Sequence, residues 1–177
     1  MEISTRRAVL GTAITLIFLV AAPIAFWYIT VGIDYAAGWS SVLGPPSSSI
    51  VCAFGILVGL FWILWAWSYL MFVGEGLPTE VFGRALHPTQ NLVTTGPYAY
   101  TRNPMVLGML FILLALAFFR GSISGFFLVP LIGVESWIYI KEFEEPGLIK
   151  RFHRDYERYR ASVPALFPRL SAYVHVP

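Results

Sequence analysis

Arg102 stands directly before Asn103-Pro104 in TTGPYAYTRNPM, residues 94–105, at the head of an apolar run. Three carboxylates, Glu142, Glu144 and Glu145, crowd the segment KEFEEPG, where a second apolar run ends. If both runs are helices, each group sits at the wrong end of a dipole: a cation at an N-terminus, acids at a C-terminus. The acids also repel one another. Arg102 and Arg84 could compensate them, and so could a positively charged ligand. Glu135, two helical turns before Glu142 on the same face, is a carboxylate inside an apolar run and is a functional candidate for that reason. Asn103 is suited to cap the helix that Pro104 opens at its first position.

The elements that must hold these groups are membrane helices. The 177-residue chain is 57% hydrophobic and 12% charged, about half the charged share of a soluble domain. Four runs, approximately 8–33, 50–73, 104–119 and 121–140, approach or exceed the ~20 residues that cross a hydrocarbon core. The first is too long and lacks the cleavage site of a signal peptide; it reads as a retained helix bent at Pro23. The third is short and forms a hairpin with the fourth around Arg120-Gly121. With both termini inside, eleven of the twelve Lys and Arg residues face the cytoplasm, the exception being Arg120. Cys52 is the single cysteine, so there is no internal disulfide and no cysteine-based zinc site. His87, His153 and His175 are too scattered for a metal set, and a net charge of +2 gives no case for nucleic acid. The expected fold is an all-α integral membrane bundle of about four helices, one domain over 1–177, with a folded cytoplasmic loop and an amphipathic C-terminal helix.

The polar chemistry collects on one side. The outer loop 34–49 is a simple polar connection. The loop 74–103 is long and broken by glycine and proline, yet Leu77, Val81, Phe82, Leu86, Leu92, Val93, Tyr98 and Tyr100 give it apolar anchors. Gly74-Glu75-Gly76 follows a membrane helix rather than a strand, which excludes a dinucleotide-binding turn. In the tail, Leu148, Phe152, Tyr156, Tyr159 and Val163 form one helical stripe, with charges over much of the rest. The helix is expected to start at Pro146, with Glu145 pushed out of helical geometry. Its stripe either anchors it on the membrane surface or closes over a pocket formed with the 74–103 loop.

These residues resemble the isoprenylcysteine carboxyl methyltransferase and phospholipid methyltransferase superfamily. Gly96, Tyr98, Arg102, Asn103 and Pro104 match its Gly-x-Tyr-x-x-x-Arg-(His/Asn)-Pro stretch. Glu144, Glu145, Leu148, Phe152, Tyr156 and Tyr159 match its Glu-Glu-x-x-Leu-x-x-x-Phe-Gly-x-x-Tyr-x-x-Tyr stretch. The likeness spans 74–168. It departs at His153, where the pattern has glycine, at Val106, where many bacterial members have tyrosine, and at Asn103, where the eukaryotic prenylcysteine enzymes have histidine. The resemblance implies an S-adenosylmethionine-dependent (SAM-dependent) enzyme in the cell membrane. Its cofactor would lie between the cytoplasmic loop and tail, and its lipid-like substrate would come from the bilayer. The implied cofactor cleft comprises Gly96, Tyr98, Tyr100, Arg102, Asn103, Pro104, Glu144, Glu145 and Tyr156, with Arg102, Glu142 and Glu145 as catalytic candidates.

The chemistry of SAM fits this set. Arg102 can fork onto the methionine carboxylate, the acids suit the ammonium and sulfonium, and Tyr98 or Tyr100 can give a cation–π contact of roughly 0.5–2 kcal/mol. Methyl transfer is an in-line displacement in which positioning alone can supply about 7–11 kcal/mol, so no triad is required. A carboxylate acceptor, as in isoprenylcysteine methylation, needs no base; a phospholipid amine would need one, from Glu135, Glu142 or His153. A non-catalytic scaffold with a lipid-binding basic tail explains the topology but not the acids opposite an arginine-bearing loop. Transport is disfavoured by four spans with one intramembrane acid.

Overall fold

The computed structural model describes residues 2–44, 47–76, 80–81, 84–85 and 89–174, without the side chains of 2–8, 10, 11, 14, 47, 80, 81, 84 and 85. The expected roles of Leu77, Val81, Phe82, Arg84, Leu86, His87 and His175 therefore lie outside the described side chains. The fold is helical: α1 (Glu2–Ala37), α2 (Ser47–Phe72), α3 (Pro104–Arg120), α4 (Ile123–Tyr139) and α5 (Glu145–Ser162). One antiparallel ladder, β1 (Glu80–Val81) with β2 (Arg84–Ala85), sits in the long loop. α1 runs through Pro23 as a single helix. Helices within α1, α2 and α4–α5 are long and apolar enough to cross a membrane. α3, with 17 residues, is about 26 Å long and falls a little short of a ~30 Å core.

α2 and α3 meet along a seam of small residues. A Cβ on Gly59 would come within 2.6 Å of the Gly108 carbonyl, and one on Gly108 within 2.6 Å of the Gly59 carbonyl. One turn away, a Cβ on Gly55 would be 2.8 Å from that of Ala115. With no water to expel between helices in lipid, such close backbone approach is what packs them. α3 ends on Gly121, which takes the left-handed conformation (φ 58°) and donates to the Ala117 and Phe118 carbonyls. Ser122 then caps α4, accepting from the Gly125 N–H at 3.0 Å.

The outer connection is more than a polar tether. The buried Asp34 of α1 accepts from the Ser122 hydroxyl at 2.6 Å and the Ser124 N–H at 2.9 Å, with Arg120 at 3.9 Å. The Ser41 hydroxyl donates to the Arg120 carbonyl and the Val42 N–H to the Gly121 carbonyl. α1 is thereby tied by its end to the α3–α4 turn.

At the opposite end α4 does not stop. Residues Ile140–Glu144 form a π turn in which the Glu145 N–H reaches back five residues to the Ile140 carbonyl. Glu145 is fully helical (φ −58°, ψ −40°), contrary to the expectation that Pro146 expels it. The wider turn relieves the clash a proline makes with the preceding turn, so α4 passes into α5 without a loop. α5 breaks locally at His153 (φ 49°, ψ −127°).

The choice left open for the α5 stripe is resolved by packing. Tyr156, Tyr159 and Val163 are buried with Val93 and Tyr98 of the loop and Ala66 of α2, and Leu148 and Phe152 pack against them. The stripe closes on the loop and is not free to lie in the membrane surface.

Candidate active site

The site begins with a turn that only glycine can start. Gly96 has φ 60°, and a Cβ there would overlap the Tyr69 ring of α2. The short 3₁₀ turn Gly96–Ala99 follows, burying Pro97, Tyr98 and Ala99. The Tyr98 carbonyl accepts from the Tyr159 hydroxyl at 2.6 Å, which joins the loop to α5. Residues 99–103 are then clipped in antiparallel order to the C-terminal tail. Tyr173 N–H donates to Ala99 and Arg169 N–H to Tyr100, while Arg102 N–H donates to Pro164 at 2.9 Å. The Thr101 hydroxyl donates to the Ala165 carbonyl at 3.1 Å. From the other flank, the Arg151 guanidinium donates to the Thr89 carbonyl and hydroxyl.

This clamp fixes Arg102 in front of Glu145. Arg102 Nη1 lies 2.7 Å from Glu145 Oε1, with side chains only 8% and 4% exposed. On the other carboxylate oxygen, Arg160 Nη1 lies 3.2 Å from Oε2, and Arg160 is 42% exposed. Arg102 Nη1 is also 3.5 Å from the Tyr156 hydroxyl. The Arg102–Glu145 approach is ionic without directed hydrogen-bond geometry. Arg102 Nε and Glu145 Oε1 are buried with no hydrogen-bond partner among the described residues. Buried polar atoms are rarely left so; Oε1 is nonetheless paired electrostatically with Arg102 Nη1 at 2.7 Å, whereas Nε has no partner among the described residues.

Burial pushes the Tyr156 hydroxyl up to about 12, helped by Glu145 and opposed by Arg102 and Arg160. Burial, with the Glu144 carboxylate beside it, raises Tyr98 above its ordinary value. Both phenols are neutral across physiological pH, so they serve as hydrogen-bonding and ring surfaces and not as bases.

Tyr98, Arg102, Glu145 and Tyr156 lie together between loop and tail, Gly96 packs against Tyr69 of α2, and Pro104 is buried at the first position of α3. Tyr100 turns towards α2, its ring 6.2 Å from that of Trp65. Asn103 occupies the cap position but makes no side-chain cap. Its amide N–H donates to the Ala165 carbonyl at 3.0 Å. Of the acids, Glu145 pairs with Arg102, and Glu144 is half-buried beside it in the chain. Glu142 is exposed and makes no ion pair among the described residues; Glu135 and His153 are exposed as well. The sequence reading missed Arg160, Thr101 and the tail carbonyls. For Arg160 a signal existed, since it follows Tyr156 by four residues and so shares its face. The tail carbonyls carry no side-chain signal at all.

The family model described as phospholipid methyltransferase matches residues 48–155. No characterised protein and no solved structure shows a significant match. The matched segment contains α2, the clamped loop, α3, α4 and the first half of α5, and with them both Arg102 and Glu145. The chain therefore belongs to the phospholipid methyltransferase family, and its helices are those of a membrane methyltransferase.

Proposed function

We propose that the protein transfers a methyl group from SAM to an amphiphilic acceptor drawn from the bilayer, at the cytoplasmic face of the cell membrane. The reaction is most like carboxyl methylation of an isoprenylcysteine-type substrate. The observation that carries this reading is the buried Arg102–Glu145 pair, with Arg102 Nε left without a hydrogen-bond partner among the described residues. Arg102 suits the amino-acid carboxylate of SAM and Glu145 its ammonium, while Tyr98 and Tyr156 supply apolar ring surface close by. When bound, SAM supplies a sulfonium methyl whose carbon–sulfur bond breaks as the acceptor's nucleophile bonds to it. The chain's part is to hold the two reactants in line and dry. The loop–tail clamp serves the first and the buried tyrosine cluster the second, and effective molarity makes such positioning worth about 7–11 kcal/mol.

A carboxylate acceptor is supported by the absence of a buried base beside the pair, among the described residues. Phospholipid amine methylation is supported by the family match itself, with the exposed Glu142 and Glu135 at the end of α4 as candidate bases.

Calorimetry of SAM binding to the detergent-solubilised protein tests the site. Arg102→Ala and Glu145→Gln are expected to weaken binding at least about tenfold, the equivalent of 1.4 kcal/mol, with the helical circular dichroism intact. Wild-type affinity in either variant removes the assignment. Tritiated methyl transfer into extracted lipid then separates the acceptors: base-labile label marks an ester, base-stable label an amine.

A further inference from the structure

We propose that Arg160 reads an anionic group on the acceptor, a carboxylate or a phosphodiester oxygen, at the mouth of the site. The proposal rests on the methyltransferase reading for its identification of the ligand as acceptor, but not for the existence of the anion site. Its basis is a mismatch of charge. Glu145 is one carboxylate between two guanidiniums, at 2.7 Å from Arg102 and 3.2 Å from Arg160. The three groups together carry a surplus positive charge.

The surplus lies on the open side. Arg102 and Glu145 are 8% and 4% exposed, whereas Arg160 is 42% exposed. Of the five N–H donors of its guanidinium, only those on Nη1 are engaged among the described residues, in the bond to Glu145 Oε2. The fork that would grip a carboxylate or phosphate in two-point fashion is therefore available. Behind the pair, Arg102 Nε is a buried donor with no hydrogen-bond partner among the described residues.

Arg160 is also held where a structural role would be weak. It lies in the last turn of α5, where the helix dipole tolerates a cation, and a half-exposed ion pair contributes little to stability. The tail that follows is clipped to Tyr100 and Arg102 and leaves Phe167 and Leu170 exposed. An exposed cation near the end of α5 and exposed apolar side chains in the tail that follows suit an amphiphile with an anionic head and a hydrocarbon chain.

The test compares an acid with its neutral ester and adds an anionic phosphodiester of different skeleton. Full-length protein in a neutral detergent is titrated with N-acetyl-S-farnesylcysteine, with its neutral methyl ester, and with hexadecyl methyl phosphate as a phosphodiester probe, each followed by native mass spectrometry. The wild type is expected to bind at least one anionic probe about tenfold or more tightly than the ester. Preference for the acid points to a carboxylate source and preference for the phosphodiester to a phospholipid source. Arg160→Gln should abolish that preference and Arg160→Lys should keep part of it, each ratio being read within one variant so that changes in folding cancel. An unchanged ratio in Arg160→Gln, or no preference in the wild type, overturns the proposal. SAM calorimetry on the wild-type sample reports separately on the methyltransferase reading: its failure with the anion preference intact would sink that reading and leave the site.

Discussion

At the scale of single residues, the least comfortable position is His153. It holds φ 49° and ψ −127° in the middle of α5, a conformation that an L side chain enters at a cost of about 1–3 kcal/mol. The superfamily pattern that the sequence resembles has glycine here. The backbone supplies the reason, since glycine alone takes this φ and ψ without strain; Leu148 and Phe152 before the break and Tyr156 and Tyr159 after it still share one core. His153 itself is exposed, so its side chain has no packing to lose. Replacing His153 by glycine should therefore raise the melting temperature by several degrees, measured by thermal unfolding in detergent, without weakening SAM binding. A lower melting temperature would show that the imidazole makes a compensating contact. The sequence marked this position only as a departure from a pattern; the positive φ that explains it is a property of the folded chain.

At the scale of elements, four apolar runs and an amphipathic tail could be read from length and periodicity, because those depend on local residue spacing alone. The joints between them could be read only in part: the turn at Arg120-Gly121 could, the passage from α4 to α5 could not. Nothing in the letters IKEFEE announces a π turn, and Pro146 argues for a helix start that the wider turn makes unnecessary. The α2–α3 seam was readable in part. Gly55 and Gly59 lie four apart and so share one face of α2, but only the structure shows Ala115 and Gly108 opposite them. This seam sets the height of Pro104, and hence of Arg102, relative to α2, whose Tyr69 blocks any side chain at Gly96. Gly108→Val should then force the helices apart against the Gly59 carbonyl. The expected loss is about 1–3 kcal/mol, the usual range for overpacking, read as a lower melting temperature. Weaker SAM binding should accompany it, because Arg102 shifts with α3. A melting temperature unchanged within error would mean that the seam is looser than its backbone distances require.

At the scale of the whole molecule, the charged chemistry divides into two unlike ends. One holds the Arg102–Glu145–Arg160 cluster, the other the Asp34 knot with Ser122, Ser124 and Arg120. The second is satisfied: both Asp34 oxygens have hydrogen-bond partners, and the Arg120 guanidinium also lies 5.2 Å from the Trp27 ring. The first retains a buried donor, Arg102 Nε, without a partner among the described residues, which is why we propose ligand binding there and not at the knot. The bias of basic residues predicts that the unsatisfied end faces the cytoplasm, where SAM is made. Single-cysteine labelling can decide this, and the native Cys52 is buried and gives little background. Ser40 and Asp155 are both exposed and belong to opposite ends, Ser40 beside the knot and Asp155 on α5. In intact cells, a membrane-impermeant maleimide should modify Ser40→Cys and spare Asp155→Cys; after lysis both should react. The reverse pattern in intact cells would place the site outside, separated from its proposed cofactor by the membrane, and the SAM-dependent reading would fall even if the fold stood.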